Sequence, residues 1–412
     1  MRIAIWYNLP SGGGKRALYD QVQGLKKRGH DLEIWCPPTA DRSYLKFSHL
    51  IKENVVGLKL SKKEPGSFLV RLINLLFIKN KFRELDKHAR ECANLIINGK
   101  ADILLAHSCM FMGAPFIGRY VDLPKVLYIQ EPYRSIYEAA GLNPWTAIDS
   151  PHALAEYITF PGRFIKDARR CRQRRIHIRE ETANARAFDY ILVNSIFSRE
   201  SLLRAYGLNS TVCYLGIDLE RFKPQKVAKN YQVINIGGLV SSKRQAFIIQ
   251  AMSHLSPPRP ELVCVANVVD PGYREQLMSL AEKKNVKVRI LHNITDEQLC
   301  EIISQSRLLA YAPRLEPFGY APLEANACEI PVVAVAEGGV RETVLDGVNG
   351  LLVNDDPQEM AQAMKRLLSD ENYARELGRN GRCLVEDKWE LTKSIVRLED
   401  TLTNAISKKP YA

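Results

Sequence analysis

The segment from Tyr311 to Leu352 constrains the fold most, because it has the order of a strand, a glycine turn and a helix. Residues 331–335, Pro-Val-Val-Ala-Val, form a short apolar run of the kind expected for a strand buried in a parallel sheet. Gly338 and Gly339 follow this run, and a helix is predicted to open directly after them. The segment therefore predicts an α/β crossover in which a buried strand turns into a helix through glycines.

Two glutamates lie upstream of this strand, Glu316 and Glu324, with seven residues between them. The Pro-Phe-Gly after Glu316 interrupts a helix, so Glu316 is predicted in a loop and Glu324 in the helix that follows. A helix entered from a glycine-bearing loop points free N–H groups at an anion, which suits a phosphate. Carboxylates accept hydrogen bonds from hydroxyls, so the combination fits a nucleotide-sugar. For any single glutamate, a solvated charge is the simpler interpretation.

The composition is that of a two-domain globular protein. A chain of 412 residues with 46% hydrophobic content can bury two ordinary cores. The N-terminus lacks the apolar core of a signal peptide, and the longest apolar stretch, residues 68–78, is broken by Arg71 and Asn74. We therefore expect a cytoplasmic protein without a transmembrane segment. The nine scattered cysteines include no C-x-x-C pair, which favours reduced thiols over disulfides or a zinc site.

The net charge of +12 belongs to the first half of the chain. Of 58 Lys+Arg and 46 Asp+Glu, residues 1–222 hold 34 and 22, which leaves 24 of each for the remainder. This asymmetry predicts an anionic partner for the first half, such as a membrane surface, a phosphorylated acceptor or nucleic acid. The charge is concentrated in residues 62–100 and 163–179, and solvated or packed helix faces are the alternative interpretation. Nucleic acid is disfavoured, because Phe164 is the single aromatic residue of the second segment.

The chain begins with a β-α-β pattern. A predicted strand at residues 2–7 leads through Gly12, Gly13 and Gly14 into an amphipathic helix, and a second strand follows at residues 31–36. Open parallel sheets bind ligands at such a crossover, although a flexible turn is about as plausible for a glycine run alone. Lys15 and Arg16 follow the glycines directly.

Further polar residues follow predicted strands of the same sheet. His107 ends the strand predicted at residues 102–107, and Gln130 and Arg134 follow the strand predicted at residues 125–129. Carboxyl ends of parallel strands share one edge, so these three are expected to lie close to one site. Another strand is predicted at residues 211–218. A histidine at such a strand end is often merely structural.

The domain boundary is predicted at the polar, proline-containing stretch 221–230, which precedes a new strand at residues 232–236. The predicted domains are therefore residues 1–222 and residues 223–388. Strands at 261–266 and 286–291 and helices at 273–284 and 296–305 continue the α/β alternation.

The Tyr311–Leu352 segment resembles the donor-binding signature of retaining glycosyltransferases of family 4, a Glu-x7-Glu motif that reads here EPFG, LEA, PVVA, GG and E. Gly12-Gly13 and Arg28-Gly29-His30 also stand at the spacing found in that family. The resemblance covers nearly the whole chain and is weaker in the first domain. It implies the GT-B fold, an α/β architecture of two Rossmann-like parallel-sheet domains facing a cleft. It also implies that a C-terminal helix, residues 389–412, packs back on the first domain.

The resemblance further implies the reaction and the roles of individual residues. It implies that a sugar passes with retention from a UDP- or GDP-sugar to a hydroxyl, without a metal or other cofactor. Glu316 and Lys243 would be catalytic, with Glu316 on the sugar hydroxyls and Glu324 on the ribose. The implied donor-binding residues are Gly12, Gly13, Lys243, Arg244, His292, Ile294, Glu316, Phe318, Gly319, Tyr320, Leu323 and Glu324. The resemblance implies that residues 223–388 bind the donor, with Lys15 and Arg16 helping to hold its phosphates from the other domain. It implies that residues 1–222 bind the acceptor, with His107, Gln130 and Arg134 on the acceptor side.

Three positions depart from the family pattern. Gly238 stands where an arginine usually helps to hold the diphosphate, and Arg244 is expected to substitute for it. Gln130 stands where many members have histidine, and it cannot serve as a base. Glu329 stands where glycine is common, so strain is expected unless the backbone suits it.

These departures leave two alternatives open, a nucleotide-sugar 2-epimerase of the same fold and a degenerate glycosyltransferase kept as a partner subunit. The expected acceptor is a glycan or a lipid-linked sugar in cell-surface polysaccharide or glycoconjugate assembly. The basic first half would then lie at the anionic, cytoplasmic face of a membrane.

Overall fold

The computed structural model of the protein describes residues 1–60, 81–138 and 147–407. Within these ranges the strands form two parallel sheets, one from each half of the chain. This arrangement confirms the predicted α/β fold with two Rossmann-like domains. The apolar run 68–78, residues 62–80 of the first basic segment and residues 408–412 of the predicted C-terminal helix lie outside the described residues.

The first sheet has the order β3-β2-β1-β4-β5-β6-β7 among the described strands. Its strands are β1 (Arg2–Asn8), β2 (Asp31–Cys36), β3 (Glu53–Val55), β4 (Ile103–Cys109), β5 (Lys125–Tyr128), β6 (Tyr190–Val193) and β7 (Thr211–Val212). Its helices are α1 (Gly13–Lys27), α2 (Lys81–Asn98), α3 (Arg134–Tyr137), α4 (Leu154–Ala185) and α5 (Ile196–Tyr206), with 3-10 turns at Phe47–His49 and Phe116–Arg119.

The second sheet has the order β10-β9-β8-β11-β12-β13. Its strands are β8 (Gln232–Ile236), β9 (Glu261–Ala266), β10 (Val288–His292), β11 (Leu308–Tyr311), β12 (Val332–Val335) and β13 (Gly350–Val353). The helices are α6 (Gln245–Ser253), α7 (Pro271–Lys283), α8 (Asp296–Gln305), α9 (Tyr320–Ala327), α10 (Val340–Thr343), α11 (Pro357–Ser369), α12 (Glu371–Lys388) and α13 (Leu391–Ser407), with a 3-10 turn at Ser241–Lys243.

The central strands are apolar because helices cover both faces of each sheet. Strand β1 is buried from Ile3 to Asn8, and β12 is buried throughout. Helix α1 turns Ala17, Leu18, Val22 and Leu25 toward the sheet, as its periodicity predicts. Buried apolar residues on the inner sides of both sheets form one continuous cluster. The two domains therefore pack against each other.

Each sheet reverses its strand order once, and this reversal positions the loops of interest. In the first sheet β1 pairs with both β2 and β4, and in the second β8 pairs with both β9 and β11. Ligands of open α/β sheets bind beyond the carboxyl ends of strands at this point. The loops after β1, β8 and β11 are the ones that carry the glycines, Lys243 and Glu316.

The strand predicted at residues 211–218 is shorter than expected, because β7 ends at Val212. From there the chain leaves the sheet and meets the start of α13. Ile217 N donates to Trp389 O at 2.7 Å, and a Cβ at Gly216 would lie 2.6 Å from Leu391 Cα. Helix α13 then packs on α1, where Glu399 pairs with Arg28 at 2.5 Å.

Among the helices in the described ranges, none combines the length and the apolar composition that crossing a bilayer requires.

Candidate active site

The glycine loop after β1 lies between the two domains. Gly12 has φ +137°, a conformation that favours glycine, and α1 begins at Gly13. A Cβ at Gly13 would lie 3.6 Å from Tyr320 Cδ2 in the facing domain. A Cβ at Gly14 would lie 3.2 Å from the amide group of Gln130. The loop therefore lies between the acceptor-side residue Gln130 and the Glu-x7-Glu segment.

The loop that carries Glu316 rests directly on the next glycine turn. Gly339 N donates to Glu316 O at 2.7 Å. A Cβ at Gly338, where φ is +64°, would lie 2.4 Å from Glu316 O, and one at Gly339 would lie 2.2 Å from Pro317 O. No side chain fits between backbones at these distances. The two glycines therefore fix the path of the Glu316 loop.

The two residues with predicted catalytic roles form an ion pair. Lys243 Nζ lies 2.6 Å from Glu316 Oε2, and both side chains are partly screened from solvent. Lys243 ends the 3-10 turn after β8, and Glu316 lies in the loop after β11. The crossover of the second sheet thus brings a cation and a carboxylate together.

Glu324 lies on α9, only 4% exposed, and faces a charged residue of the other domain. Arg16 Nε lies 3.9 Å from Glu324 Oε1, and the Arg16 guanidinium forms two hydrogen bonds with Asp296, at 2.6 and 3.0 Å. Burial raises the pKa of Glu324 to about 7, and the Arg16 charge opposes that rise. Glu324 therefore lies at the contact between α1 of the first domain and α9 of the second.

Two family models together match most of the chain. The model described as Glycosyltransferase Family 4 matches residues 11–221, and the model described as Glycosyl transferases group 1 matches residues 216–383. The chain belongs to the family 4, group 1 glycosyltransferases. The match confirms the family indicated by the Glu-x7-Glu segment.

Curated relatives of this glycosyltransferase align over about half of the chain. Alpha-maltose-1-phosphate synthase of Mycolicibacterium smegmatis is 29% identical over 240 residues, 51% of this chain and 62% of that protein. GDP-mannose-dependent alpha-(1-6)-phosphatidylinositol monomannoside mannosyltransferase of the same species is 29% identical over 238 residues, 52% and 62% of the two chains. Alpha-1,3/1,6-mannosyltransferase ALG2 of Rhizomucor pusillus is 31% identical over 187 residues, 45% and 40%. The matches span less than two thirds of these relatives.

Solved structures share the fold over nearly the full length. Sucrose-phosphate synthase from Thermosynechococcus elongatus has a TM-score of 0.75 at 18% identity, covering 98% of this chain and 99% of the other. Anabaena HepE in complex with UDP-glucose has a TM-score of 0.70 at 19% identity, covering 98% and 100%. At this identity the likeness shows the fold alone.

The cluster around Glu324 in the glycosyltransferase includes further buried charges. Arg221 Nη1 lies 3.1 Å from Asp20 Oδ1, and Arg221 Nε lies 3.6 Å from Asp296 Oδ2. Burial raises the pKa of Asp20 to about 6, while Arg221 opposes the rise. Neither Asp20 nor Asp296 was predicted in the site, because ion pairs between residues so far apart in the chain have no sequence pattern.

Lys15 and Arg16, expected near a phosphate, already have protein partners. Lys15 is fully buried, its Nζ donates to the Tyr7 hydroxyl at 3.1 Å, and burial lowers its pKa to about 8. Arg16 is engaged by Asp296. Lys15 thus stabilises the first domain from inside, and Arg16 joins the two domains.

The three residues predicted on the acceptor side differ in their burial and in their hydrogen-bond partners. His107 is only 1% exposed, its ring stacks on Tyr128 at 5.4 Å, and burial lowers its pKa to about 3. This position does not support an acceptor contact for His107. Gln130 Nε2 is buried and has no hydrogen-bond partner among the described residues. Arg134 Nη2 crosses to the second domain and donates to Leu315 O at 2.8 Å, next to Glu316.

Glu131 is a site residue that the sequence reasoning overlooked. Its carboxylate forms an ion pair with Arg134, and its pKa is raised by burial, with Arg134 and Lys243 opposing the rise and Glu316 adding to it. It follows Gln130 directly, just after β5. That position at the carboxyl end of a strand could have indicated a site residue. Glu131 therefore adds a second carboxylate close to the Lys243–Glu316 pair.

Of the remaining residues predicted to bind the donor, some are buried and others are accessible to a ligand. Leu323 is fully buried in the core, so a ligand cannot reach its side chain without movement. Phe318 is buried against Trp389, with ring centroids 5.5 Å apart, and Gly319, with φ +98°, precedes α9. His292 is exposed at the end of β10, and the half-buried Ile294 leads into α8.

The substitute proposed for the missing arginine is engaged elsewhere. Arg244 forms an ion pair with Asp355, and its guanidinium lies 4.4 Å from the centroid of the Phe247 ring. Asp355 also pairs with Arg314 at 2.9 Å. A Cβ at Gly238 would lie no closer than 3.7 Å to any neighbour. Arg244 as a diphosphate ligand remains a prediction, and the packing leaves room for a side chain at position 238.

The structure also clarifies Glu329. Its φ is +58°, which is the left-handed conformation that favours glycine, and its side chain is exposed. The family's common glycine at this position suits that conformation. The strain expected from the sequence is therefore present in the backbone, at about 1–2 kcal/mol for a non-glycine residue.

Proposed function

We propose that this glycosyltransferase moves a sugar from a UDP- or GDP-sugar to a hydroxyl with retention at the anomeric carbon. The observation that carries the proposal is the Lys243–Glu316 pair on a glycine-supported loop, with Glu324 eight positions further at the domain contact. HepE, which shares the fold, was solved with UDP-glucose. Two relatives are named as mannosyltransferases. Both kinds of donor are therefore candidates.

Donor binding would exchange one set of charge partners for another. The diphosphate would replace Glu316 as the partner of Lys243, and the sugar hydroxyls would donate hydrogen bonds to the Glu316 carboxylate. The amides of Gly13, Phe318 and Gly319 would add neutral donors, with Gly319 just before α9. Glu324 would hold the ribose. Each buried charge then keeps a partner, which limits the cost of bringing charge into the cleft.

Catalysis would consist mainly of stabilising the departing diphosphate. Lys243 supplies the positive charge nearest Glu316, and such preorganised charge often makes the largest contribution to catalysis. The leaving phosphate oxygen would accept the proton of the incoming hydroxyl. Gln130, with a buried Nε2 that has no partner among the described residues, can donate a hydrogen bond to that hydroxyl but cannot take its proton.

The proposal includes no metal ion. Within residues 1–60, 81–138 and 147–407 no three His, Cys, Asp or Glu side chains are grouped so that they could hold one. Metal independence remains a prediction. Activity unchanged by a chelator and by added Mg²⁺ or Mn²⁺ would support it.

For the acceptor we favour a glycan or a lipid-linked sugar handled at the cytoplasmic face of a membrane. The excess of basic residues in the first domain supports an anionic or membrane-borne acceptor. The mannosyltransferase relative of M. smegmatis carries phosphatidylinositol monomannoside in its name. The acceptor hydroxyl would enter beside Gln130 and Glu131.

The test uses water as a surrogate acceptor. The protein is incubated with UDP-glucose, UDP-N-acetylglucosamine and GDP-mannose, and free nucleoside diphosphate and the anomer of the released sugar are followed by NMR. We expect one donor to release its diphosphate with the α-sugar appearing first. Lys243→Met should slow release by about 100-fold, whereas Lys283→Met, an exposed lysine on α7, should not.

Other products would identify the alternatives. An epimerised nucleotide-sugar without free diphosphate would indicate the 2-epimerase. Initial release of the β-sugar would contradict retention. A folded protein that neither binds nor cleaves any of the donors would indicate a partner subunit.

A further inference from the structure

The first half of α4 projects from the first domain. Of residues 156–170, all are exposed except Phe160 and Asp167, which are half-buried. Tyr157, Ile158, Phe164 and Ile165 are exposed by 61, 83, 57 and 50%. An isolated helix is marginal in water, and large apolar side chains clustered on its surface usually mark a contact. This half of α4 therefore presents an apolar surface to a partner.

The same face of α4 continues into a row of arginines. At 100° per residue, Tyr157, Ile158, Phe164 and Ile165 fall within an arc of about 120° that also contains Arg172, Arg175 and Arg179. These three arginines are exposed and, together with Ala168, Cys171 and Ile176, line a groove along the helix. One continuous helix face is thus apolar at its start and basic further along.

The charge on this stretch is almost entirely positive. Residues 163–179 hold eight Lys or Arg and one acid, Asp167. The partner must therefore offer both an apolar medium for Ile158 and Phe164 and a negative surface for the arginines. A bilayer that contains anionic lipids has both properties, with acyl chains beneath charged head groups. We propose that α4 is a membrane-docking helix that inserts residues 157–165 between lipids and places Arg172, Arg175 and Arg179 on anionic head groups.

Other occupants fit this face less well. A second copy of the chain would bring the arginines of one copy close to those of the other, which is unfavourable for like charges. A nucleic acid would match the arginines but not Ile158 and Ile165, the aliphatic side chains of the patch. The combination of exposed aliphatic and basic residues on one face favours the lipid surface.

The second half of α4 connects this face to the acceptor side of the cleft. Glu181, fully buried, accepts hydrogen bonds from Gly113 N and the Tyr206 hydroxyl, both at 2.6 Å, so this half is fixed in the domain. The His177 ring lies 4.5 Å from that of Tyr133. Tyr133 precedes Arg134, which donates to Leu315 O beside Glu316. Given the proposed function, docking would bring the acceptor side of the cleft close to lipid-linked acceptors.

The experiment measures sedimentation of the full chain with vesicles. Neutral phosphatidylcholine vesicles are compared with vesicles containing about 30 mol% phosphatidylglycerol, at about 0.05 M and 0.5 M salt, where screening lengths differ severalfold. The variants are Ile158→Glu with Phe164→Glu, and Arg172→Glu with Arg175→Glu. The matched controls on α7 and its end are Met278→Glu and Lys283→Glu with Lys284→Glu, all at exposed positions.

We expect tight binding to the anionic vesicles that weakens with salt. The arginine pair should reduce affinity by at least about 25-fold, from about fivefold for each basic residue. The apolar pair should reduce it by about tenfold for each side chain. The controls should bind as wild type. All the substituted residues are exposed, so thermal unfolding should be unchanged and a loss of binding cannot be attributed to misfolding.

Several outcomes would overturn the proposal. Equal binding of the variants and wild type, or binding that ignores lipid charge and salt, would exclude α4 as the docking helix. Dimerisation of the free protein that Ile158→Glu abolishes would assign the face to a second copy, and salt-sensitive binding to single-stranded DNA that is tighter than to vesicles would assign it to nucleic acid. Release of nucleoside diphosphate from soluble donor, measured on the same variants, is expected to stay at the wild-type rate. That readout separates a failure here from a failure of the proposed reaction.

Discussion

The two walls of the cleft are built by different kinds of contact. On the second domain, the Glu316 loop lies backbone to backbone on Gly338 and Gly339, at distances that exclude any side chain. On the first domain, side chains reach across to that loop, as Arg134 does to Leu315 O and Ser195 to Pro317 O. The second-domain wall, where we propose that the donor binds and which is called the donor wall below, is thus fixed by chain geometry. The first-domain wall, where we propose that the acceptor binds and which is called the acceptor wall below, contacts that loop through individual side-chain hydrogen bonds.

The largest effect is expected from a substitution that places a methyl group between the two closely packed backbones. Gly338→Ala should lower the free energy of unfolding by about 3–5 kcal/mol, because the methyl group would meet Glu316 O at 2.4 Å and alanine disfavours φ +64°. Gly347→Ala is the matched control, with φ +72° and no atom within 4 Å, and should lose only about 1–2 kcal/mol. Urea unfolding measures both. Equal losses would mean that the close approach is unimportant.

A second prediction concerns the charges where the two walls meet. Burial raises the pKa of Glu324 from an ordinary 4.5 to about 7, so the folded protein binds this proton more tightly than the unfolded chain does. Stability from this group is therefore full below about pH 4.5 and falls as the pH rises to about 7, by roughly 3 kcal/mol. In Glu324→Gln this part of the pH dependence should disappear, while that of Asp20 stays.

The measurement is the free energy of unfolding of wild type and Glu324→Gln at several pH values from 5 to 7.5. The wild-type curve should decline more steeply than that of the variant. Parallel curves would show that Glu324 is not the group that titrates, and that its environment is more solvated than its burial indicates.

A third prediction concerns an arginine added to the donor wall at position 238. Gly238→Arg should tighten binding of the nucleoside diphosphate by about 1.5–3 kcal/mol, because a charge-assisted hydrogen bond is restored where the packing leaves room. Titration calorimetry with UDP and GDP measures the change. Gly57→Arg adds the same charge at an exposed position of the first domain and should have no effect. Unchanged affinity in Gly238→Arg would place the diphosphate elsewhere.

The smallest expected effect concerns a contact between the walls. Glu342 on α10 accepts from Ile196 N and Phe197 N, both at 2.9 Å, and from the Tyr214 hydroxyl at 2.9 Å, so it caps α5 of the other domain. Glu342→Ala should cost about 1–2 kcal/mol. It should also separate the unfolding of the two domains into distinguishable transitions. Asp356→Ala removes a cap within the second domain and should cost a similar amount without separating the transitions.

The sequence predicted the donor wall better than the acceptor wall for a physical reason. Glycines that must accept a neighbouring backbone, and the helix that follows Glu316, leave a local pattern, and α9 and β12 formed close to where they were predicted. Arg16 and Asp296 are 280 positions apart, and nothing local marks either of them. Pairs of this kind become visible only once the two domains are packed.

The direction of a side chain was also beyond the sequence. His107 lies in β4, at the expected edge of the sheet, but its ring points into the core, and Leu323 on α9 does the same. A strand end gives a position along the sheet but does not decide which face a residue occupies. The early end of the strand predicted at residues 211–218 was likewise not visible in the sequence. After Val212 the chain leaves the sheet and crosses to α13.

The most direct test of the central claim is thermal unfolding of wild type and Glu324→Ala with UDP, GDP and ADP. A ligand at about 100 times its dissociation constant stabilises by about 2.7 kcal/mol, which for domains of this size is about 5–10 °C. We expect such a shift in wild type with UDP or GDP, and we expect it to be lost in Glu324→Ala. No shift with any nucleotide, or the same shift in both proteins, would contradict the assignment of a nucleotide-sugar site to the contact between α1 and α9.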